Sequence, residues 1–253
     1  MTRYALLIEY DGRGFVGWQR QVNGLSVQQV LEAAAAKLNG GAPVASIVAG
    51  RTDAGVHAAG QAALIELPGE LPPPRVREAL NFHMKPHAVV AVTAAIAPEG
   101  WNPRFSAIWR HYRYCILNRR ARPALAAGQV WHVPQPLDAA AMAEGARYLL
   151  GRHDFTSFRA SSCQAKSPVR TLDRLEVRRE GDLVIVEAGA RSFLHHQVRN
   201  IVGTLKLVGE GGWAPTRVEA ALAAADRRAG GPTAPPDGLC FMAVGYEPDP
   251  FAG

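Results

Sequence analysis

The sequence predicts an α+β fold with a mainly antiparallel sheet. Three observations support this prediction: apolar runs typical of strands recur along the whole chain, several helices carry capping signals, and strands and helices do not alternate strictly as they do in parallel α/β folds. The 253 residues are 48% hydrophobic and 20% charged, which is typical of a globular chain that can bury a sizeable core.

A helix is predicted from Ser26 to Asn39, because Ser26 and Gln29 can form a capping box and apolar residues then recur along one face. The glycine pair after Asn39 ends this pattern. The other elements expected in the first half are a strand at the N-terminus, a buried strand over Val44–Ala49, strands over Gln61–Leu67 and Ala88–Ile96, and a proline-started helix near Pro74–Asn81.

The second half begins with a strand from Arg110 to Asn118, whose alternation places Tyr112, Tyr114 and Ile116 on one face. Further elements follow from capping and turn residues. They are a long helix capped by Asp138 that ends before Gly151, a hairpin of Leu172–Arg178 and Leu183–Ala188, a helix over Phe193–Val208, a helix capped by Thr216 and Glu219, a proline- and glycine-rich loop at 230–238, and a strand over Leu239–Tyr246.

The charge of the chain favours a nucleic-acid partner. The formal net charge is +6, and only four of the 28 basic residues are lysines, so 24 are arginines, whose planar fork suits phosphate oxygens and stacks on bases. Basic residues cluster over Arg104–Arg122 and Arg159–Arg199. The first cluster is interleaved with aromatic residues, a pattern that suits RNA: Trp101, Phe105, Trp109, Tyr112 and Tyr114. A solvated basic face explains the charge equally well.

Several classes of protein are excluded or disfavoured by the sequence. No apolar run is long enough to span a bilayer, and the N-terminal apolar run is too short for a signal peptide. The three cysteines, Cys115, Cys163 and Cys240, are distant and odd in number, which favours free thiols in the cytoplasm. The chain has no P-loop, no Gly-x-Gly-x-x-Gly fingerprint and no Gly-x-Ser-x-Gly elbow, so no cofactor is expected.

A metal site is not expected either. His153, His195 and His196 are the histidines that invite the idea. However, the last two are adjacent and should point apart on the predicted helix, and no Cys-x-x-Cys motif accompanies them.

The segment from Ala49 to Ala58 places one carboxylate, Asp53, on a constrained loop after the apolar run. Gly50 and Gly55 are expected to form turns, and the guanidinium of Arg51 can keep a nearby carboxylate ionised. An ionised, fixed carboxylate is what a nucleophile or a general base requires. The alternative from this segment alone is that Asp53 is an ordinary turn or capping residue.

Seven segments, taken together and in order, resemble the tRNA pseudouridine synthase A family. The Gly-Arg-Thr-Asp-Ala-Gly-Val-His segment is highly specific, and the resemblance covers essentially the whole chain. The segments begin at Glu9 (EYDG), Gly17 (GWQRQ), Ala49 (AGRTDAGVHA), Arg104 (RFSA), Tyr112 (YRY), His153 (HDFTSF) and Val198 (VRNIVG).

The resemblance implies roles for five residues. Asp53 matches the catalytic aspartate of the family, and Arg51 matches the arginine that pairs with it. Tyr112 matches the tyrosine that packs against the target base. Arg199 matches the basic residue of the active-site helix, and Leu239 matches the apolar residue that lines the base pocket.

The resemblance also implies an architecture and partners. The family fold is a pair of ferredoxin-like halves around a basic cleft, here expected as residues 1–106 with the aspartate loop and residues 107–253 with the tyrosine and the active-site helix. Members of the family isomerise uridines 38–40 of the tRNA anticodon stem-loop. They act as homodimers that bind tRNA across both subunits, and they need neither a cofactor nor a membrane.

Two departures from the family pattern concern RNA contacts and leave the aspartate and the tyrosine in place. Trp101-Asn102-Pro103 stands where the family often has Phe-His, and Gln197 stands where it often has Met.

The implied reaction breaks the N1–C1′ bond of uridine and forms a C5–C1′ bond, with no redox change and no net hydrolysis. One carboxylate can attack C1′, attack C6, or act as the base that starts glycal formation, and the sequence leaves all three routes open. From the pattern alone, Tyr112 can also be an ordinary buried aromatic of a strand. Arg199 can likewise be a surface charge or a partly buried pair.

Two other functions compete with this one. A non-catalytic RNA-binding module explains the charge and the aromatics, but it leaves Arg51 and Asp53 unexplained, because a carboxylate that faces phosphates weakens binding. Nor does the chain contain an RNP segment of the kind that such modules carry. A metal-dependent nuclease would require clustered carboxylates.

Overall fold

The chain begins with β1 (Thr2–Tyr10), a strand that pairs on both of its edges within the first of two units. The computed structural model describes residues 1–252. The first unit contains Met1–Trp109 together with the residues from Cys240 onward, and the second contains Arg110–Leu239. Within residues 1–252, no helix is both long enough and apolar enough to cross a bilayer.

The first unit has the ferredoxin-like element order βαββαβ. Its antiparallel sheet has the order β4–β1–β3–β2, and β10 adds to β3 through a short parallel pairing. The elements are β1, α1 (Val27–Leu38), β2 (Ser46–Val48), β3 (His57–Leu67), α2 (Pro73–Met84) and β4 (Val89–Ile96).

Both faces of the first sheet are covered by buried residues. The apolar sides of α1 and α2 pack on one face, where Leu6 and Ile8 of β1 are fully buried. A second cluster on the other side of β1 and β3 contains Ala5, Leu64, Trp101 and Tyr246. A sheet with buried side chains on both faces fixes the strand register strongly, and hence the loops at the strand ends.

The second unit is an antiparallel sheet of order β5–β9–β8–β7 with helices packed against it. The elements are β5 (Trp109–Leu117), β6 (Trp131–His132), α3 (Ala139–Arg147), β7 (Gly151–Asp154), β8 (Val169–Glu180), β9 (Leu183–Ala190), α4 (Gln197–Gly209) and α5 (Thr216–Ala223), and the chain continues into β10 (Leu239–Gly245). The expected α+β class with mainly antiparallel pairing is confirmed.

Local signals in the sequence placed several elements correctly. Ser26 caps α1 with the full capping box, and Asp138 caps α3 by accepting hydrogen bonds from two backbone amides. The hairpin β8–β9 turns at Gly181, whose φ of 57° suits glycine. The alternation of β5 is confirmed, since Tyr112, Tyr114 and Ile116 are all buried.

Three expectations about elements are wrong. The strand β2 is short and half-exposed rather than buried, because it pairs with β3 alone, and Ile47 keeps 42% of its surface exposed. The helix expected from Phe193 starts only at Gln197. Thr216 is the first residue of α5 rather than its cap, because Pro215 already has helical backbone angles, and no side chain caps this end.

His195 and His196 therefore precede a helix instead of lying on one. His196 has a left-handed backbone with a φ of 60°, which breaks the helical path just before Gln197. The two imidazole rings lie beside each other, with centroids 4.0 Å apart, and do not point apart as expected.

Candidate active site

Asp53 lies in the loop between β2 and β3 of the first unit, and its side chain is half-buried. The loop closes as a tight turn, since the amide of Val56 donates to the carbonyl oxygen of Asp53 at 3.2 Å. Gly55 has a φ of 78°, a backbone conformation that favours glycine. Of the two residues before Asp53, Thr52 is buried and Arg51 is exposed. The expected glycine turn at Gly55 is confirmed.

A second loop, the support loop of residues 11–18, holds the aspartate loop through its backbone. The amide of Trp18 donates to Thr52 O at 3.1 Å, and the amide of Gly55 donates to Phe15 O at 3.3 Å. Gly17 has a φ of 111°, and a Cβ at this position would lie 2.6 Å from Thr52 O. The close approach of the two backbones therefore requires glycine at this position.

Side chains add a buried polar link to this support. The hydroxyl groups of Tyr10 and Thr52 share a hydrogen bond of 2.7 Å in the interior. Burial raises the pKa of Tyr10 well above its ordinary value, despite the bond to Thr52, so the phenol stays protonated. The amide of Gly12 donates to Nδ1 of His57 at 3.1 Å, which ties the support loop to the start of β3.

Tyr112 lies on β5 of the second unit and is only 9% exposed. It pairs with Ala188 across the sheet, and its ring meets the ring of Phe193 edge to face, with centroids 5.1 Å apart. The buried-strand interpretation of this residue thus describes its packing correctly. Any contact with a base uses the small part of the ring that remains open.

Arg199 lies on α4 and is half-buried rather than a free surface charge. Its Nε donates to Ala234 O at 2.8 Å, and the amide of Ala234 donates back to Arg199 O at 3.1 Å. The hydroxyl of Tyr114 donates to Pro235 O at 2.8 Å, so the loop is held from β5 as well. These bonds fix the segment that leads into the buried Leu239.

The structure thus groups the predicted residues within each unit. Arg51 and Asp53 share one loop of the first unit, while Tyr112, Arg199 and Leu239 all belong to the second. The supporting residues Tyr10, Gly12, Gly17 and Thr52 were missed as functional residues. Their signal was present in the EYDG, GWQRQ and GRTDAG segments, which pointed to a family without assigning these residues a role.

Comparison with known proteins identifies the family of the chain. The family model described as tRNA pseudouridine synthase matches residues 6–106 and 146–247. The chain is 72% identical over 252 residues to a protein named tRNA pseudouridine synthase A from Acidiphilium cryptum, with 99% of each chain covered.

Two further relatives carry the same name. The protein from Gluconobacter oxydans is 55% identical, over 99% of this chain and 92% of its own length. The protein from Paramagnetospirillum magneticum is 58% identical, over 97% of this chain and 96% of its own length. The chain therefore belongs to the tRNA pseudouridine synthase family of isomerases.

Proposed function

We propose that the chain isomerises uridines 38–40 of the tRNA anticodon stem-loop, with Asp53 as the nucleophile or base. One observation carries the proposal: Asp53 sits in a turn that the support loop and the buried Tyr10–Thr52 bond hold in place. A fixed carboxylate requires little reorganisation when the base arrives, which is the main benefit of a rigid catalytic loop.

The reaction conserves atoms and electrons within the uridine. The N1–C1′ bond breaks, the detached uracil turns, C5 bonds to C1′, and the proton lost from C5 is balanced by one gained at N1. In this reaction Asp53 can attack C1′, attack C6, or act as the base of a glycal route. In each case the proton at C5 leaves at the end.

The target base first has to leave its stack, which costs a few kcal/mol. In our proposal Tyr112 packs against the flipped base, and Leu239 lines the pocket that receives it. Arg51 stabilises the charge of Asp53, and Arg199 acts as the basic residue of α4. Stacking on an aromatic side chain can offset about 1–3 kcal/mol of the cost.

The proposal extends to the whole particle. The enzyme acts as a homodimer in the cytoplasm, and one tRNA contacts both subunits. Residues 1–106 and 107–253 serve as the two functional halves, with the aspartate in the first and the tyrosine and α4 in the second. The arginine-rich composition supports this grip on phosphates.

Replacing the carboxylate tests the proposal directly. Asp53→Asn keeps the size of the side chain but removes its charge, so we expect no detectable turnover and tRNA affinity within about threefold of the unmodified protein. Turnover can be followed as tritium released from tRNA that carries [5-³H]uridine, because the new C5–C1′ bond displaces that hydrogen.

Asp182→Asn is the matched control. Asp182 is an exposed carboxylate in the β8–β9 turn, and its replacement should leave turnover within about twofold. Substantial turnover by Asp53→Asn would remove this residue from the chemical step. RNA cleavage that depends on added metal would favour a nuclease, and tRNA binding without any release of tritium by the unmodified protein would favour a binding module.

A further inference from the structure

The aromatic residues of the first basic cluster separate into two groups in the structure. The sequence pattern makes all five candidates to stack on RNA, but three of the five are buried in the protein interior. Trp101, Tyr112 and Tyr114 are buried, whereas Phe105 is 75% exposed and Trp109 is 43% exposed. Most of the Phe105 ring is therefore open to a partner in solution.

Disorder of the loop does not explain this exposure, because the loop is tightly built. The side-chain oxygen of Asn102 accepts hydrogen bonds from the amides of Arg104, at 2.9 Å, and Phe105, at 3.2 Å. The amide of Ser106 donates to Asn102 O at 2.9 Å, and the amide of Asn102 donates to Ser106 Oγ at 3.0 Å. Four bonds therefore hold the turn that presents Phe105.

The base of this turn is fixed to the core of the first unit. The hydroxyl of Tyr246 donates to Pro103 O at 2.9 Å, and the guanidinium of Arg3 donates to Trp101 O at 2.6 Å. The rings of Trp101 and Tyr246 pack edge to face, with centroids 5.0 Å apart. The residues that depart from the family pattern here are thus the ones that anchor and cap the turn.

Phe105 has a cation beside it. The guanidinium carbon of Arg104 lies 5.7 Å from the centroid of the Phe105 ring, close enough for a cation–π contact. An aromatic face beside an arginine is the combination that holds an unpaired nucleotide, since the ring stacks on the base and the guanidinium attracts the phosphate.

The other exposed aromatics of the first unit fit this role less well. Trp109 lies against the backbone of Gly245, where any Cβ would collide with the indole ring. Phe82 on α2 is 69% exposed, but its ring neighbour is His83, with centroids 5.1 Å apart, rather than an arginine. Phe105 therefore combines exposure, a rigid mount and an adjoining guanidinium.

We propose that Phe105 is a stacking platform for one unpaired base of the tRNA and that Arg104 contacts a phosphate beside that base. The proposal rests on tRNA as the substrate of this family and names a contact outside the residues that carry out the chemistry. It assigns Phe105 to binding and positioning, so its loss should weaken affinity more than it slows the chemical step at saturation.

Affinity measurements on Phe105 variants test the platform. Phe105→Ala should weaken binding of tRNA by at least about fivefold, which corresponds to roughly 1 kcal/mol of lost stacking. Phe105→Trp should bind within about twofold of the unmodified protein. Phe105→Leu should bind as weakly as Phe105→Ala, because leucine is apolar but has no π face. Phe82→Ala is the matched control and should change nothing.

A scan of the RNA identifies the base. We expect this from a set of tRNA transcripts that each lack one unpaired base. One transcript should bind the unmodified protein more weakly than intact tRNA does. The same transcript and intact tRNA should bind Phe105→Ala equally well. Arg104→Gln should make the slope of log affinity against log salt less steep by about 0.9, the value expected for one phosphate contact. Phe105→Ala should leave that slope unchanged.

Distinct outcomes would overturn the proposal. Full affinity of Phe105→Leu would show an apolar contact without stacking, and the lack of any base that couples to Phe105 would show no platform. A change in particle mass by light scattering with unchanged tRNA affinity would make Phe105 part of an interface between two copies. These binding tests use full tRNA, so they stand even if the modified uridine lies outside the anticodon arm.

Discussion

At the scale of single residues, the hydroxyl pair of Tyr10 and Thr52 explains why a loop can hold a carboxylate still. Loops are usually the mobile parts of a fold, yet here a buried bond of 2.7 Å joins the end of β1 to the residue before Asp53. The two partners are 42 positions apart in the chain. A local pattern cannot show such a contact, so the sequence indicated the aspartate but not its support.

Tyr112 offers a sharper test at this scale, since it is both packed and proposed to touch the base. If its ring acts by contact alone, Tyr112→Phe should keep the single-turnover rate within about tenfold. Tyr112→Ala should lose about a hundredfold or more, because it removes the contact and opens a cavity beside Phe193.

The comparison needs a control for the loss of a hydroxyl. Tyr148→Phe makes the same change at a half-buried position after α3 and should leave the rate unchanged. A Tyr112→Phe rate as low as that of Tyr112→Ala would show that the hydroxyl moves a proton. Unmodified rates in both Tyr112 variants would place this residue outside the active site.

At the scale of elements, the support loop sets the position of the aspartate loop. Gly17→Ala places a methyl group 2.6 Å from Thr52 O and forces a side chain onto a backbone with a φ of 111°. We expect turnover to fall by about tenfold or more with a smaller change in the affinity for tRNA, because the backbone of Thr52 and Asp53 has to move.

Gly14→Ala is the control for strain alone. Gly14 also has a positive φ, of 82°, but a Cβ there meets nothing within 4 Å. Its replacement should cost stability, as seen in the melting temperature, without the fall in turnover. Equal kinetic losses in both variants would show that contact with Thr52 is not what matters.

The sheet of the second unit contains a charge network around Glu187. The buried carboxylate faces His111 at 2.6 Å, Arg113 at 2.9 Å and Arg178 at 3.3 Å. Burial by itself would raise the pKa of Glu187, but the hydrogen bond and charge of Arg113, with His111 and Arg178, hold it below its ordinary value. The ionised form therefore stabilises the fold above the unfolded pKa of about 4.3, and this contribution is lost as the pH falls through the lower folded value.

Glu187→Gln should accordingly lower the free energy of unfolding by about 1–3 kcal/mol at pH 7. The difference from the unmodified protein should begin to narrow below about pH 4.3 and close at lower pH, in melting curves recorded over a pH series. Glu176→Gln, at the exposed opposing position on β8, should change stability by less than about 1 kcal/mol. A difference in stability between Glu187→Gln and the unmodified protein that stays constant down to pH 2 would contradict a stabilising role for the ionised Glu187.

Elements were predictable where their signals are local. The capping box of α1, the alternation of β5 and the glycine turn of the β8–β9 hairpin each lie within a few residues, and each was correct. The predicted start of α4 was wrong, because Phe193 and Leu194 continue the apolar pattern while the left-handed backbone of His196 interrupts the helix. Here the side-chain oxygen of Gln197 accepts a hydrogen bond from the amide of Leu194 and closes a separate turn.

At the scale of the whole molecule, the arginine-rich composition is compatible with a nucleic-acid partner, and the family resemblance names that partner as tRNA. A homodimer that holds one tRNA across both subunits should contact many phosphates, so log affinity should fall with log salt at a slope of about −4 or steeper. An isolated anticodon stem-loop should bind more weakly and with a shallower slope. Filter binding over a salt series measures both slopes, and light scattering gives the mass of the particle.

Either of two results would refute binding of one tRNA across both subunits: a monomeric protein, or equal slopes for the stem-loop and the full tRNA. The division of function between residues 1–106 and 107–253 remains a prediction at this scale as well. The order in which strands join a sheet depends on long-range pairing, which the sequence alone did not reveal.

The parallel pairing of Cys240 and Phe241 with His57 and Ala58 has a consequence for biosynthesis. The first unit is built from two stretches of chain, and the whole of the second unit lies between them. Domains usually fold as they leave the ribosome, N-terminal first. Here the start of β3, at His57 and Ala58 directly after the aspartate loop, lacks its parallel partner until the ribosome has translated past Phe241. A nascent or prematurely terminated chain thus lacks this partner strand at His57 and Ala58, although the support loop that holds Asp53 has already been synthesised.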